Sequence, residues 1–182
     1  MKVTIIGRGN IGGGLAQRLD ERHDVTTLGR DGGDASHADV VVLAVPGDSI
    51  ADALGGVSGV EGKVVIDTTN PMGGRPEGFE SLADQVKSLT GGPVAKAFNT
   101  NFARLYDRLD DTSVRPSNFW CGDEEARAAT EELSRDAGYG PVCAGGLEQA
   151  RMLEDVVAGL EMPVARAGRG PFFYRIFWPD EG

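Results

Sequence analysis

Residues 2–12, Lys2-Val3-Thr4-Ile5-Ile6-Gly7-Arg8-Gly9-Asn10-Ile11-Gly12, set a short apolar run directly before three glycines spaced Gly-x-Gly-x-x-Gly. Ile11, Leu15 and Leu19 then follow at helical spacing. A strand that breaks into such a turn and leaves it as a helix demands a sheet with a helix packed on its face. Gly7 permits the tight turn, Gly9 lets a ligand approach the backbone, and Gly12 lets the helix lie close to the sheet. The free N–H groups of the first helical turn attract an anion. The turn from Gly7 to Gly12 is therefore a candidate dinucleotide-binding turn, with Gly9 at the pyrophosphate. Gly13 and Gly14 extend the glycine density, so a glycine-rich turn that binds nothing is the competing reading.

The rest of the chain repeats the alternation. Apolar β-rich runs predict strands at about 2–6, 24–28, 39–45, 63–67, 93–98, 118–121 and 141–143. Helical patterns predict helices at 10–22, 48–55, 78–89, 123–137 and 146–160, the third with Phe79, Leu82, Val86 and Leu89 on one stripe. Asp123 reads as the N-cap of the fourth, which stops at Gly138. Residues 29–38 are too glycine-rich for a helix, so one crossover is cut down to a loop. The expected fold is α/β: a Rossmann-type, doubly wound, mainly parallel sheet with a short C-terminal helical and aromatic extension. One domain over 1–182 accommodates this, with 146–182 as C-terminal helix and tail.

The net charge of -10 and a pI near 4.6 argue against nucleic acid or an anionic membrane surface as partner. No apolar run reaches the length of a membrane span, and the chain enters a strand without a signal-like segment, so a cytoplasmic location is expected. Cys121 and Cys143 make no metal pattern and read as inert, partly buried thiols; His23 and His37 read as surface residues. No metal ligand set is expected.

Ligands of open parallel sheets sit beyond the carboxyl ends of the strands. The second strand ends Thr26-Thr27-Leu28-Gly29-Arg30, where an acidic residue would hold a ribose 2′-hydroxyl. Gly29 and Arg30 favour a 2′-phosphate instead, because guanidinium presents a planar fork to phosphate oxygens; a surface pair between Arg30 and Asp31 is the alternative. Ala44-Val45-Pro46, Asp67-Thr68-Thr69-Asn70 and Lys96 through Asn99-Thr100 close the next three strands. These residues are candidates for the ribose, the nicotinamide and the second substrate, or they form ordinary Asx and Thr turns. Lys96 is the one candidate proton donor, unless it pairs with Asp67. Ser/His/Asp logic, zinc spacing and histidines are missing from these strand ends, which suits hydride transfer, where the cofactor carries the chemistry and no catalytic side chain is required. Residues 168–179 hold five of the chain's twelve aromatic residues. Such a cluster is expected to pack back on the domain, to bury in a homodimer contact, or to wall a ring-binding pocket.

With these residues in view, the chain resembles the family of NADPH-dependent reductases of the 8-hydroxy-5-deazaflavin coenzyme F420 and related dinucleotide-binding proteins. The resemblance rests on Ile6 to Gly12, Leu43-Ala44-Val45-Pro46, Ile66 to Pro71, Val94 to Thr100, Phe119 to Asp123 and Gly145-Gly146-Leu147-Glu148, in order over roughly residues 1–160. It implies NADP(H) on the glycine turn, with Gly7, Arg8, Gly9, Asn10 and Ile11 holding the pyrophosphate beside Gly12, and Arg30 on the 2′-phosphate. It further implies Ala44, Val45 and Pro46 beside the nicotinamide, and Asn99 and Thr100 closing the cleft near the reacting ring. The loop after Arg30 is shorter than the family pattern, and the tail beyond Glu161 is aromatic where more helix is expected. The expected function is hydride transfer between NADPH and a second redox cofactor, with F420 first and a flavin or ferric chelate as other acceptors. A non-catalytic dinucleotide sensor is the reading from a different class, and a reductase of small imines or keto acids would need a further helical domain.

Overall fold

The computed structural model describes residues 1–179; positions 180–182 of the expected tail lie outside the described residues. The strands are β1 (Lys2–Ile6), β2 (Asp24–Leu28), β3 (Gly33–Asp34), β4 (Val40–Leu43), β5 (Val57–Ser58), β6 (Val64–Asp67), β7 (Val94–Ala97), β8 (Ser117–Gly122) and β9 (Gly140–Cys143). All but β3 and β5 form one sheet in the order β2-β1-β4-β6-β7-β8-β9. The first five strands of that order are parallel, and β8 pairs antiparallel with β7 and parallel with β9. The fold is the mainly parallel, Rossmann-like α/β sheet that the alternation implies.

Helices α1 (Asn10–Leu19), α2 (Ile50–Gly55), α3 (Leu82–Thr90), α4 (Arg127–Asp136) and α5 (Ala150–Val156) cover it, and a short α6 (Met162–Val164) follows in the C-terminal segment. All four residues of β4 are buried because both faces carry helices. Ile5 and Val42 join Leu15 and Leu19 of α1 and Leu133 of α4 in one core. Ile6, Val41 and Leu43 join Ile50, Leu54, Leu82, Val86 and Leu153 of α2, α3 and α5 in the other.

Several elements differ from expectation for local reasons. Helix α3 starts at Leu82 because Ser81 and Asp84 form a reciprocal capping box, which leaves Phe79 outside it. Its buried face is Leu82, Ala83, Val86 and Thr90, while Leu89 points outward at 47% exposure. Asp123 precedes a 3-10 turn, Glu124–Ala126, and its carboxylate accepts from Lys87 and the Val94 N–H instead of capping α4. Residues 29–38 hold no helix; β3 pairs there with β5 in a small sheet of its own. The 3-10 helix Ala103–Asp111 was not expected: its buried Tyr106 and Leu109 stand three apart, the 3-10 period. His23 is buried rather than on the surface, because Asp136 takes its Nε2 at 2.9 Å and the Met1 amine faces Nδ1 at 3.2 Å. Cys121 is buried, and burial pushes its thiol up to about 12, whereas Cys143 is exposed.

The C-terminal helix runs further than 160. A 3-10 turn, Leu147–Gln149, leads into α5, a π-helical turn (Val157–Glu161), α6 and a second π-helical turn (Ala165–Arg169) that breaks at Gly168, φ 76°. The segment beyond folds back on β8: the Ser117 N–H donates to the Tyr174 carbonyl at 2.8 Å, and the Ile176 N–H to Ser117 Oγ at 3.0 Å. Phe172 meets Phe102 and Tyr174 edge to face, Tyr174 meets Phe119, and Phe173 packs on the core; Phe177 and Trp178 stay exposed.

Candidate functional site

The three glycines of the opening turn do three different jobs. Gly7 has φ 114°, its N–H donates to the Leu28 carbonyl at 2.9 Å, and a Cβ there would stand 2.1 Å from the Ala44 carbonyl oxygen. A Cβ on Gly12 would stand 2.0 Å from the Gly7 oxygen, so that glycine sets how closely α1 approaches the strand end. Gly9 needs no special backbone at φ -74°, and a Cβ on it would meet nothing within 4 Å. Its open side faces a cleft of about 540 Å³, lined by Gly9, Asn10 and Ile11 at its floor. Helix α1 has no side-chain cap and no acid in its first turn, so its N-terminal N–H groups are left for an anion.

Two guanidiniums gather beyond β2. Arg8 folds back to donate to the Thr27 carbonyl at 2.8 Å and lies beside Gly29, where a Cβ would come within 3.2 Å of it. Arg30 is exposed, and no pair with Asp31 or any other described residue occupies it.

The cleft continues along the carboxyl ends of β4, β6 and β7, where Ala44, Val45, Pro46, Thr68, Thr69, Asn70 and Asn99 line it. Some of their polar atoms are used internally. Thr68 Oγ1 donates to the Leu43 carbonyl, and Asn70 and Asn99 interlock: Asn70 Nδ2 donates to the Asn99 carbonyl at 2.8 Å, and Asn99 Nδ2 to Asn70 Oδ1 at 3.0 Å. Others are not: Thr69 Oγ1, Asn99 Oδ1 and Thr100 Oγ1 are buried without a partner. Thr69 and Asn99 reach the cleft, while Thr100 lies behind it, 1% exposed. Thr69 and Asn99 thus keep hydrogen-bonding capacity at the cleft that a ligand can use, whereas the other unpartnered atoms, on Gln85, Tyr106, Trp120 and Tyr139, lie away from it.

Asn99 is aimed by a strained residue. Phe98, fully buried at the end of β7, adopts φ 60°, a left-handed conformation costly for a bulky side chain. Asn118 of β8 holds it there: its Oδ1 accepts from the Phe98 N–H at 3.0 Å and from Asn101 at 2.7 Å, and its Nδ2 donates to Ser134 Oγ.

The far wall comes from elsewhere in the chain: Met72, Phe102, Arg104, Val157, Glu161 and Met162. A buried ionic cluster fastens it. Lys96 Nζ lies 2.6 Å from Asp67 and 2.9 Å from Glu154, all three side chains fully buried, and also donates to the Thr69 carbonyl. Glu154 in turn accepts from the Leu82 N–H and from Arg75, each at 2.8 Å. Lys96 is thus a tether beneath the cleft and not its proton donor. The titratable group that does reach the cleft under cover is Glu161, 3% exposed, whose Oε1 accepts from Tyr174 OH at 3.1 Å. Burial pushes its carboxyl up to about 7, with the Tyr174 hydrogen bond pulling the other way. Sequence reasoning missed Arg104, which the unexpected 3-10 helix brings to the site, and Glu161 and Met162, which line it because the C-terminal helical segment folds back over it.

A second acidic cluster, His23, Glu132 and Asp136, places possible donor atoms within 4.8 Å of one another on the opposite side of α1. Asp136 and the Met1 amine already occupy both nitrogens of the imidazole.

The model of the family described as NADP oxidoreductase coenzyme F420-dependent matches residues 29–71, from the end of β2 through the Thr-Asn-Pro turn, so the resemblance drawn from the motifs holds over this segment. No curated protein matches the chain in sequence. Among solved structures, the chain is similar to a protein from Arthrobacter sp. FB24, provisionally named an F420-dependent NADP reductase. The two are 23% identical, with a TM-score of 0.79 over 98% of this chain and 100% of the other. A hypothetical protein, SMa0349 from Sinorhizobium meliloti, is 29% identical with a TM-score of 0.67 over 82% of this chain and 88% of its own. A reductive aminase from Aspergillus terreus, solved with NADPH and ethyl levulinate, is 14% identical with a TM-score of 0.67, and the chain spans 62% of its length. The chain has the fold of NADP-dependent oxidoreductases.

Proposed function

We propose that the protein is an NADP(H)-dependent oxidoreductase that transfers a hydride between NADPH and a second redox cofactor, with coenzyme F420 as the preferred partner. The observation that carries this reading is the open face of Gly9 over the bare N-terminus of α1, at one end of a cleft whose other end keeps unpartnered polar atoms on Thr69 and Asn99. The first end suits a pyrophosphate. The second suits a flat, polar-edged ring system beside the nicotinamide.

NADPH, when bound, supplies the hydride. The chain's part is positioning. Gly9, Asn10 and Ile11 hold the pyrophosphate, Arg30 and Arg8 meet the 2′-phosphate, and Ala44, Val45 and Pro46 bound the nicotinamide face. Thr69 and Asn99 fix ring edges by hydrogen bonds, and Phe102, Val157 and Met162 exclude water. The match of the family model and the likeness to the Arthrobacter protein support F420 as acceptor. Arg104, exposed at the cleft wall, gives an anionic tail on that acceptor a place to rest. Among the described residues no helix is long and apolar enough to cross a membrane. Exposed Phe177 and Trp178 are where a homodimer contact would form.

The test is direct: incubate the protein with NADPH and F420 and follow the visible absorbance of the deazaflavin. Bleaching is expected. Tight NADPH binding without bleaching would overturn F420 as acceptor.

A further inference from the structure

We infer that Glu161 exchanges a proton with the hydride acceptor while Tyr174 holds its carboxyl in place, an inference that rests on the oxidoreductase reading above. Hydride transfer to a conjugated acceptor leaves an electron pair on a nitrogen or oxygen of the acceptor, and that atom needs a proton from somewhere. The titratable groups at the cleft wall are Asp48, Arg104 and Glu161. Asp48 and Arg104 are exposed at the rim; Glu161 alone is buried.

Its surroundings are wrong for a purely structural carboxyl. Val157, Met162 and Phe102 around it in the wall are apolar, and burying a carboxyl among such groups is costly unless it is paired. Among the described residues its partner is the Tyr174 hydroxyl alone, with no cation in ion-pair range. The tail does not depend on this bond alone to stay down, because Ser117 fastens it at the Tyr174 carbonyl and at the Ile176 N–H. Tyr174 of the tail is the group bonded to Glu161, and the charged residues that line the same cleft are Arg104 from the 3-10 helix and Asp48 from the turn after β4. On its own helix Glu154 is committed to Lys96 and Arg75. Burial brings the carboxyl to about 7, so both protonation states are present at neutral pH and the group can serve either direction. Glu161 ends a π-helical turn, closed by i→i+5 hydrogen bonds, whose buried residues are Val157 and Glu161.

In the forward direction Glu161 gives its carboxyl proton to the conjugated nitrogen or oxygen of the acceptor as the acceptor's carbon receives the hydride, with its electron pair, from NADPH. NADP+ and reduced, protonated acceptor result. The carboxylate left behind is held by the Tyr174 O–H and regains a proton from water at the cleft mouth. In reverse the carboxylate takes the proton and NADP+ takes the hydride.

The experiment compares the parent, Glu161→Gln and Tyr174→Phe across pH, reading F420 reduction, its reverse, and NADPH affinity. In the parent the forward rate should fall as pH rises through about 7 and the reverse rate should fall as pH drops through it. Glu161→Gln should bind NADPH as the parent does, lose roughly 100-fold in rate and show neither limb. Tyr174→Phe removes a bond that favours the carboxylate, so both limbs should move to higher pH, a shift that merely loosened packing would not give. A Glu161→Gln protein with parental rate and profile overturns the inference and leaves the oxidoreductase reading standing, as does an unmoved profile in Tyr174→Phe. A parent that binds NADPH and reduces neither F420 nor a flavin overturns both.

Discussion

The two ends of the cleft are built by opposite means. The nucleotide end is backbone: three glycines within six residues, a helix N-terminus and the chain turn between β1 and α1. The acceptor end is assembled from segments far apart in sequence, 68–73, 99–104 and 157–162, and is held by side chains in a buried ionic cluster. A backbone site tolerates almost no change in its own few residues but depends little on the rest of the chain. A side-chain site inherits every weakness of the network that fastens it.

That contrast is tested hardest at Glu154. Glu154→Ala removes a carboxylate shared by Lys96, Arg75 and the Leu82 N–H, and loss of one partner from a buried ionic cluster costs about 4 kcal/mol. Urea unfolding should show that loss, and hydrogen exchange should speed up over 147–169. NADPH binding in the protein that remains folded should persist. Equal loss of both ends would show that the two halves are one cooperative unit.

The glycines come next. Gly7→Ala and Gly12→Ala force a Cβ to within 2.1 Å and 2.0 Å of a backbone oxygen, so each should lose about 3 kcal/mol and melt several degrees lower. Gly9→Ala has free space and an ordinary φ, and should melt with the parent while weakening NADPH, because its methyl stands where the pyrophosphate would come. Calorimetry with a fluorescence titration separates the two outcomes; a Gly9→Ala protein with parental affinity would remove the pyrophosphate from this turn.

The same division decides what could be read from sequence. The strands on the nucleotide side, the turn and the missing crossover helix follow from local pattern: glycine spacing, apolar runs and a segment too glycine-rich to coil. Lys96 was legible as a buried-strand lysine beside Asp67, but its third partner, Glu154, lies 58 positions on and carries no local signal. Glu161 is hidden for the same reason: nothing in Leu160-Glu161-Met162 says that the tail will return to cover it. The 3-10 helix at 103–111 left a faint mark in the three-residue spacing of Tyr106 and Leu109, which a search for 3.6-residue periods passes over.

Arg30 sharpens the comparison without touching stability. It is exposed and engaged by none of the described residues, so Arg30→Ala should melt with the parent. If it meets the 2′-phosphate, NADPH should weaken by about 10- to 100-fold with NADH unchanged, the worth of a hydrogen bond to a charged group. Arg8 is half engaged by the Thr27 carbonyl, and Arg8→Ala should cost less affinity. Equal NADPH and NADH affinity in the parent would defeat the phosphate assignment.

The smallest effect belongs to the acceptor end and has a fixed sign. The Glu161 carboxyl has a folded-state value near 7 against an ordinary 4.5, so the folded protein binds this proton more tightly than the unfolded chain does. Its contribution to stability is complete below 4.5 and lost as pH rises through 7. Glu161→Gln has no proton to lose. The melting temperature of the parent relative to Glu161→Gln should therefore fall as pH is raised across this window, and level off above it. Gly9→Ala, altered at the backbone end, should track the parent throughout. A pH-independent difference between parent and Glu161→Gln would mean that Glu161 is already ionised in the folded state. The carboxylate would then draw its stabilisation from water in the cleft, and the acceptor end would be wetter, and less able to exclude solvent from the reacting ring, than its apolar wall implies.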